Sequence, residues 1–222
     1  MQSPALIEQL PRAHPAPSDC LLEAVTLECV RNDAVLFSGL SFTLAPGEVL
    51  RVSGPNGSGK TSLLRILCGL GTPERGEVRW RGAEIQSVFA DFVSHVQYVG
   101  HSDGISLDLT CSENLAFNAA LAAAAPNGSV SAALEEVGLG GCAGLSARRL
   151  SAGQRRRLAL ARLLLIPAEC WLLDEPFTSL DPDGRAFVND LVRKHSSGGG
   201  TAIISSHEPF CPGNTPAREL VL

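Results

Sequence analysis

Apolar and polar residues alternate along much of the stretch from Val25 to Leu44, with one polar break at residues 31–33. A period of two is typical of a strand with one buried face, so this stretch predicts two strands joined by a turn. A third strand is predicted from Glu48 to Ser53, because a proline–glycine turn precedes it. From Lys60 to Leu70 the leucines recur at helical spacing instead, and Gly71 stands where a helix would end.

The rest of the chain switches between strand and helix patterns. Four further strands are predicted, at Glu77–Trp80, Val93–Val99, Cys170–Leu173 and Thr201–Ser205. Between the second and third of them Ala, Leu and Glu dominate, so we predict a mostly helical subdomain at about 103–165, inserted into the sheet domain. Its last helix runs from Ala152 to Ile166, with Ser151 as N-cap. Asp181, followed by a proline, predicts the start of another helix. This alternation favours an α/β fold with a parallel sheet covered on both sides.

Composition narrows the functional classes. Hydrophobic residues make up 45% of the 222 residues and charged residues 18%, which excludes a disordered chain. The net charge of −5 argues against a nucleic-acid binder, since phosphate contacts along a nucleic acid need clustered Lys and Arg. The seven cysteines are dispersed without a C-x-x-C pair, which favours reduced thiols in a cytosolic compartment.

The chain shows no pattern of a membrane span or a secretory signal. No stretch approaches the roughly 20 apolar residues that cross a bilayer. The N-terminus lacks a basic head followed by an apolar block. Residues 1–19 contain four prolines, and we predict that they form a flexible tail ahead of one domain at 20–222.

The strongest motif follows the third predicted strand. It matches G-x-x-x-x-G-K-[ST] and consists of Gly54, Pro55, Asn56, Gly57, Ser58, Gly59, Lys60 and Thr61. In such a loop the glycines let backbone N–H groups surround a phosphate, Lys60 reaches the β- and γ-phosphate oxygens, and the Thr61 hydroxyl binds Mg²⁺. A plain glycine-rich turn is the alternative, but the flanking strand and helix are the setting that a phosphate loop requires. We predict an ATP site here, to which Ser62 also belongs.

The apolar strand that begins at Cys170 ends in two carboxylates, Asp174 and Glu175. Charges at this position lie at the carboxyl edge of a parallel sheet, where ligands of open α/β folds bind. By itself the pair is equally consistent with a solvated strand end. Downstream of a phosphate loop, it predicts that Asp174 holds Mg²⁺, directly or through water, and that Glu175 accepts a proton from the attacking water or orients it.

A second anion site is predicted at the start of the helix that Ser151 caps. Residues 150–154 read Leu-Ser-Ala-Gly-Gln, so small residues surround a helix N-terminus with free N–H donors. An ordinary capped helix is the alternative. One ATP needs one phosphate loop, so this second site, with Ser151, Gly153 and Gln154, fits a nucleotide that is bound by a partner.

These motifs together resemble the ATP-binding subunits of ABC transporters, from about Leu21 to the C-terminus and in the order of that family. The resemblance implies a P-loop NTPase cassette with a parallel-sheet core, an N-terminal antiparallel β region and an inserted α-helical subdomain. It also implies a homodimer of cassettes paired head to tail. Lys60 of one copy and Ser151 with Gly153 of the other would then grip the same ATP.

The resemblance assigns roles to two further residues. His207 follows the predicted strand Thr201–Ser205 and matches the switch histidine that senses the γ-phosphate, although a histidine after an apolar strand is by itself more often a surface residue. Asp181 matches the loop that links the two nucleotide sites across the dimer.

Two positions depart from the family pattern. His101 stands where the family usually has a glutamine between the two subdomains, and it can still bind water near Mg²⁺ with a charge that depends on pH. Arg31 falls near the place of the aromatic residue that usually stacks on adenine. A guanidinium plane can stack on a base, but this replacement leaves the selectivity for adenine open.

Several segments are similar to one subfamily, the ATP-binding subunits of the haem exporter in bacterial cytochrome c maturation. They are Leu36–Phe42, Gly100–His101 with Gly104–Ile105, Leu109–Thr110 before Glu113–Leu115, and Trp171–Thr178. This similarity implies an ATPase that binds a membrane permease at the cytoplasmic face of the inner membrane. None of the five histidines forms a haem-ligand motif, so we predict no haem on the subunit itself. Whether such a complex moves haem or releases a haem-loaded chaperone stays open.

Other interpretations remain at this stage. The chain can be the ATPase of another small importer or exporter, or a soluble cassette of assembly or repair, although the paired cassettes, coiled-coil insertions and basic arms of the latter are missing. The run Arg155–Arg157 can guide a phosphate or contact a permease, but we interpret it as a solvated helix face.

Overall fold

The strands form two sheets in the computed structural model, which describes residues 20–122, 127–207 and 217–222. The strands of these residues are β1 (Leu22–Arg31), β2 (Ala34–Leu44), β3 (Val49–Ser53), β4 (Arg75–Trp80), β5 (Ala83–Glu84), β6 (Val96–Val99), β7 (Cys170–Asp174), β8 (Thr201–Ser205) and β9 (Ala217–Val221). An antiparallel sheet has the order β2-β1-β4-β5, and a parallel sheet has the order β6-β7-β8-β3-β9. The tail predicted at 1–19 lies outside the described residues.

The sheet order brings three chain segments to one edge. Strands β7, β8 and β3 are neighbours and parallel, so their carboxyl ends lie side by side. The residues after β3 form the phosphate loop, the acidic pair lies at the end of β7, and His207 follows β8. The predicted site residues of these three segments therefore meet because of the order of the strands.

The helices of the described residues cover the parallel sheet or lie beside it. They are α1 (Lys60–Leu67), α2 (Phe89–His95), α3 (Cys111–Leu121), α4 (Val130–Glu136), α5 (Ala152–Leu165) and α6 (Pro182–Ser197), with 3₁₀ turns at Gly140–Cys142 and Ala147–Arg149. Helices α3 and α5 begin with capping boxes, and the Asp181 side chain caps α6. None of these helices is long and apolar enough to cross a membrane.

Three groups of buried apolar side chains hold the layers together. One lies between the antiparallel sheet, α1 and one face of the parallel sheet, and includes Leu27, Leu63 and Leu172. A second joins the other face of the parallel sheet to α6. The third is formed by α3, α4 and α5, with Leu115 and Leu134 fully buried. A helical unit with a core of its own agrees with the insertion that was expected, whereas the bounds 103–165 stay a prediction.

Two local predictions were wrong, and one strand was missed. Helix α1 ends at Leu67 and not at Leu70, because Gly69 takes up a left-handed φ of 75° that stops the helix. Part of the predicted strand Val93–Val99 is helical: α2 turns Phe92 into the core, where its ring contacts Trp80 edge to face. The last strand, β9, was not predicted at all.

Candidate functional site

The phosphate loop has the backbone that its glycines permit. Gly54, Gly57 and Gly59 all have positive φ, at 143°, 85° and 104°. A Cβ at Gly54 would lie 2.6 Å from the Leu222 carbonyl oxygen, so a larger residue does not fit there. These three positions carry no side chain that could cover the loop, so its backbone N–H groups remain accessible, as anion binding requires.

Lys60 points back into this loop. Its side chain is 7% exposed, and Nζ donates to the carbonyl oxygens of Gly54 at 2.8 Å and Pro55 at 3.1 Å. The ammonium group thus occupies the loop interior, where phosphate oxygens would replace carbonyl acceptors. The predicted contact of Lys60 with the β- and γ-phosphate oxygens stays a prediction.

The other loop residues lie around the rim. Pro55, Asn56 and Thr61 are exposed, and Ser62 is half-buried. Ser58 is half-buried too, but its Oγ is shielded and has no hydrogen-bond partner among the described residues. The Thr61 side chain is exposed, and its role as a metal ligand, like the roles of the other loop residues, stays a prediction.

The carboxylate pair is held by Ser205, a residue that the sequence analysis missed. Ser205 Oγ donates to Asp174 Oδ1 at 2.6 Å and accepts from the Glu175 backbone N–H at 2.8 Å. Asp174 is fully buried, and Glu175 has a φ of 49°, a left-handed conformation that is uncommon outside glycine. The strand pairing of Asp174 with Ser205 was the available signal, but it is visible only once β7 and β8 are neighbours.

His207 lies between the phosphate loop and the acidic pair. Its Nε2 is 2.9 Å from Glu175 Oε1, and its Nδ1 is 3.5 Å from Lys60 Nζ. Three residues from three parallel strand ends are thus in direct contact. His207 is exposed on its remaining side, so it can also contact a bound phosphate.

The helix end that was predicted to be a second anion site begins α5 with the expected N-cap, and its role in anion binding stays a prediction. Ser151 Oγ accepts from the Gln154 N–H, and Gln154 Oε1 accepts from the Ser151 N–H, which completes a capping box. Gly153 is small for a further reason, since a Cβ there would lie 2.8 Å from the Ser179 carbonyl oxygen. None of the hydrogen bonds of the described residues joins this helix end to the phosphate loop of the same chain.

The loop before α6 is tied to α5. Asp181 Oδ1 accepts from Arg157 at 2.7 Å and from the Gly184 N–H at 2.9 Å. The bond from Gly184, reinforced by Arg157, holds the pKa of Asp181 below its usual range. Asp181 therefore stays charged and fixes this loop beside the second anion site.

His101 and Arg31 lie at the borders of the site. His101 is exposed after β6, whose carboxyl end shares the edge with β7. Arg31 is exposed at the end of β1. The next strand, β2, lies against the phosphate loop, because a Cβ at Gly59 would be 3.1 Å from Phe37. The predicted roles of both residues, in water binding and base stacking, stay predictions.

The interpretation of the arginine run as a solvated face was wrong for Arg156. This side chain is 3% exposed and donates to the carbonyl oxygens of Gly100 and Asp174, both at 2.8 Å, and of Glu175 at 2.9 Å. Burial lowers the pKa of the guanidinium, an effect that the Asp103 carboxylate, 3.4 Å away, opposes. The helical spacing of α5 turns Arg156 inward, while Arg155 and Arg157 are half-buried.

The residues present fit a bound Mg²⁺ and nucleotide. Asp174 Oδ2 is buried and has no hydrogen-bond partner among the described residues, which is unfavourable unless an ion or its water binds there. A carboxylate oxygen and a hydroxyl are ligands that Mg²⁺ prefers, and substrate phosphates supply others. The donor set of the site is therefore compatible with a nucleoside triphosphate and its Mg²⁺.

Comparison with known proteins decides the family. The protein-family profile described as ABC transporter matches residues 37–178, which is more than half of the chain. The chain belongs to the ABC transporter family. It is thus an ABC ATPase whose cassette binds ATP, and the assignment of that ATP to the residues described above stays a prediction.

Among curated proteins, the cassette is similar to several of one name. It is 50% identical over 191 residues to the cytochrome c biogenesis ATP-binding export protein CcmA of Methylococcus capsulatus, a match that covers 86% of this chain and 92% of the relative. The protein of that name from Nitrosomonas europaea is 44% identical, with 94% and 98% covered. The one from Yersinia pestis is also 44% identical, with 91% and 93% covered.

Solved structures have the same fold. An ATP-binding protein of an ABC transporter from Pyrococcus furiosus superposes with a TM-score of 0.75 at 27% identity, covering 90% of the cassette and 96% of that chain. An ATP-binding subunit of another ABC transporter gives a TM-score of 0.75 at 21% identity, covering 84% and 79%. The predicted fold class is confirmed.

Proposed function

We propose that the chain is the ATP-hydrolysing subunit of a haem exporter that serves the biogenesis of c-type cytochromes. The contact of Lys60, His207 and Glu175 at one sheet edge supports hydrolysis. The identity of 44–50% to cytochrome c biogenesis export proteins, over more than 90% of their length, supports the cargo pathway.

Each residue of the site has a role in the proposed hydrolysis of ATP. The phosphate loop and Lys60 bind the β- and γ-phosphates, and Glu175 accepts the proton of the attacking water. His207 contacts both Glu175 and Lys60, so it reports whether a γ-phosphate is present. Mg²⁺ supplies neutralisation of the phosphoryl charge, and Asp174 and Thr61 are the groups that would hold it.

The second anion site completes the proposal through a second copy. The capped N-terminus of α5 carries Ser151 and Gly153. Among the described residues, no hydrogen bond joins this helix end to the phosphate loop of the same chain. Helix N-termini bind anions through free N–H groups and the helix dipole. In a head-to-tail homodimer this helix end would bind the γ-phosphate of the ATP on the partner cassette, with His101 near the metal-bound water. Hydrolysis then needs two copies.

The proposed setting is a complex with an integral-membrane permease, in which the cassette is peripheral on the cytoplasmic face of the inner membrane. The permease handles the haem, and the cassette itself holds none. The net charge of −5 favours no nucleic-acid partner.

The test replaces Glu175 with Gln in the host organism. We expect the haem-stained c-type cytochromes to disappear from denaturing gels, while b-type cytochromes remain. Glu84→Gln, at an exposed position of β5 outside the site, is the matched control. Normal c-type cytochromes in the Glu175→Gln strain would contradict the cargo pathway. If no permease copurifies with the chain from detergent-solubilised membranes, the result would favour a soluble cassette instead.

A further inference from the structure

Arg156 makes a set of contacts that the reaction as described does not use. Its Nη2 donates to the carbonyl oxygens of Asp174 and Glu175, its Nη1 donates to Gly100 and contacts Asp103, and its Nε donates to Pro176 at 3.4 Å. A guanidinium has five N–H donors, and here each of the five has an acceptor. A buried cation with every donor bonded is a rigid support.

The acceptors belong to the point where the chain leaves the sheet. After Asp174 the backbone of β7 ends, and Glu175 has a φ of 49°. A residue in this conformation persists only where its surroundings hold it. The Glu175 peptide groups are held from both sides, with its N–H bonded to Ser205 and its C=O bonded to Arg156.

We propose that Arg156 is a positioning residue for hydrolysis, which holds the backbone of Glu175 so that its carboxylate faces the attacking water. This inference rests on the proposed role of Glu175 as proton acceptor. Arg156 lies on α5, the helix that Ser151 begins, so the same side chain also fixes the distance between the second anion site and Glu175. A movement of α5 then moves the Glu175 backbone.

Arg156→Lys is the first variant. It keeps the charge, but a lysine carries its three donors on one atom. It cannot replace a planar guanidinium whose separate nitrogens reach acceptors in different segments. Displacing a reacting group by about 1 Å reduces a rate by about 10²-fold. We therefore expect kcat for ATP, measured on the full chain with its membrane partner, to fall between about tenfold and 10²-fold, with KM close to wild type. Arg193→Lys, on the exposed face of α6, is the control and should hydrolyse normally.

The deciding measurement combines the variants. If Arg156 acts through Glu175, Arg156→Lys changes kcat little in a Glu175→Gln background, because residues that act as a unit are not additive. An equal loss in both backgrounds, or a normal kcat in Arg156→Lys alone, would overturn the inference. Failure of the proposed function gives a different result, in which Glu175→Gln itself hydrolyses ATP at the normal rate.

A second variant covers the case in which Arg156→Lys does not fold. Asp103→Asn leaves Arg156 in place and removes only the carboxylate at 3.4 Å, from a side chain that is 26% exposed. We expect kcat to fall below the wild-type value at an unchanged KM, and the fall to vanish in the Glu175→Gln background. A wild-type kcat for Asp103→Asn would speak against the positioning role.

Discussion

His207 Nε2 lies 2.9 Å from Glu175 Oε1, which places an imidazole directly against the proposed proton acceptor. The two residues follow neighbouring parallel strands, β8 and β7. The other ring nitrogen of His207 is 3.5 Å from Lys60 Nζ. The imidazole therefore connects the group that binds the phosphates with the group that activates water, and the contact exists in a single copy of the chain.

The first prediction concerns Glu175. We expect Glu175→Gln to reduce kcat for ATP by about 10²-fold or more, because an amide cannot accept the proton of the attacking water. Binding of ATP should persist, since the phosphate loop is unchanged, and ATP-bound dimers should accumulate. Light scattering with ATP measures the dimer. A variant that stays monomeric under these conditions would count against paired sites.

The second prediction concerns Lys60. Among the described residues, its ammonium group has two loop carbonyl oxygens and His207 as hydrogen-bond partners. Lys60→Ala removes the only side-chain cation of the loop, so we expect weaker ATP binding and no turnover. Lys194→Ala, an exposed ion-pair partner of Asp190, is the control for loss of a lysine. Unchanged hydrolysis by the pure Lys60→Ala protein would refute the phosphate-loop assignment.

The third prediction concerns Ser205. Ser205→Ala leaves Asp174 Oδ1 and the Glu175 N–H without their partner, which should lower the free energy of unfolding by about 1–3 kcal/mol. Because the Asp174 carboxylate and the Glu175 backbone lose support, we also expect a lower kcat and a higher Mg²⁺ concentration at half-maximal rate. Urea unfolding and Mg²⁺ titration of the ATPase measure the two effects. Ser94→Ala is the control. It removes a hydroxyl whose described hydrogen bonds go to residues of α2, so it should change stability but not the Mg²⁺ dependence of the ATPase.

Much of the site could be predicted because it consists of local sequence patterns. The loop from Gly54 to Thr61 has its conformation from its own glycines, and Ser151 and Asp181 cap their helices through residues three positions away. Such bonds need no knowledge of the fold. The same is true of the antiparallel pair β1 and β2, whose turn lies within the alternating pattern.

The part that was missed depends on which strands and helices are neighbours. Ser205 supports Asp174 only because β8 pairs with β7, and Arg156 is buried only because α5 packs over the ends of β6 and β7. Three adjacent arginines have the pattern of an exposed face, and the carbonyl oxygens that bind the middle one are distant in sequence. Helix α2 was missed for a similar reason, since burial of Phe92 against Trp80 outweighs the strand preference of its neighbours.

The fourth prediction concerns pH and Asp181. Its pKa in the folded chain is lowered by the Gly184 N–H and by Arg157. A lowered carboxyl pKa stabilises the fold above the ordinary value of 3.8, and this contribution is lost as the pH falls below that value. Asn also caps helices but carries no charge, so we expect Asp181→Asn to be less stable than wild type near neutral pH and equally stable in acid. The measurement is thermal unfolding of both proteins near neutral pH and below pH 3.8. A difference in stability that persists in acid would show that charge is not the cause.

The fifth prediction tests whether one ATP is shared by two copies. Ser151→Asp keeps a good helix cap but adds a negative charge at the proposed γ-phosphate contact. We expect the variant to fold normally and to lose hydrolysis, although its own phosphate loop is intact. Ser129→Asp makes the same change at the N-cap of α4 and should leave hydrolysis unaffected.

Mixing two inactive variants tests directly whether the two copies share each nucleotide site. In a head-to-tail dimer of a Ser151→Asp copy and a Lys60→Ala copy, one nucleotide site carries both changes and the other carries neither. We therefore expect the mixture to regain hydrolysis that neither variant has alone. If each site were complete within one copy, every site in the mixture would still carry one change. Differently tagged variants that copurify as a dimer and remain inactive would thus contradict the shared site, because the intact composite site would then be present without activity.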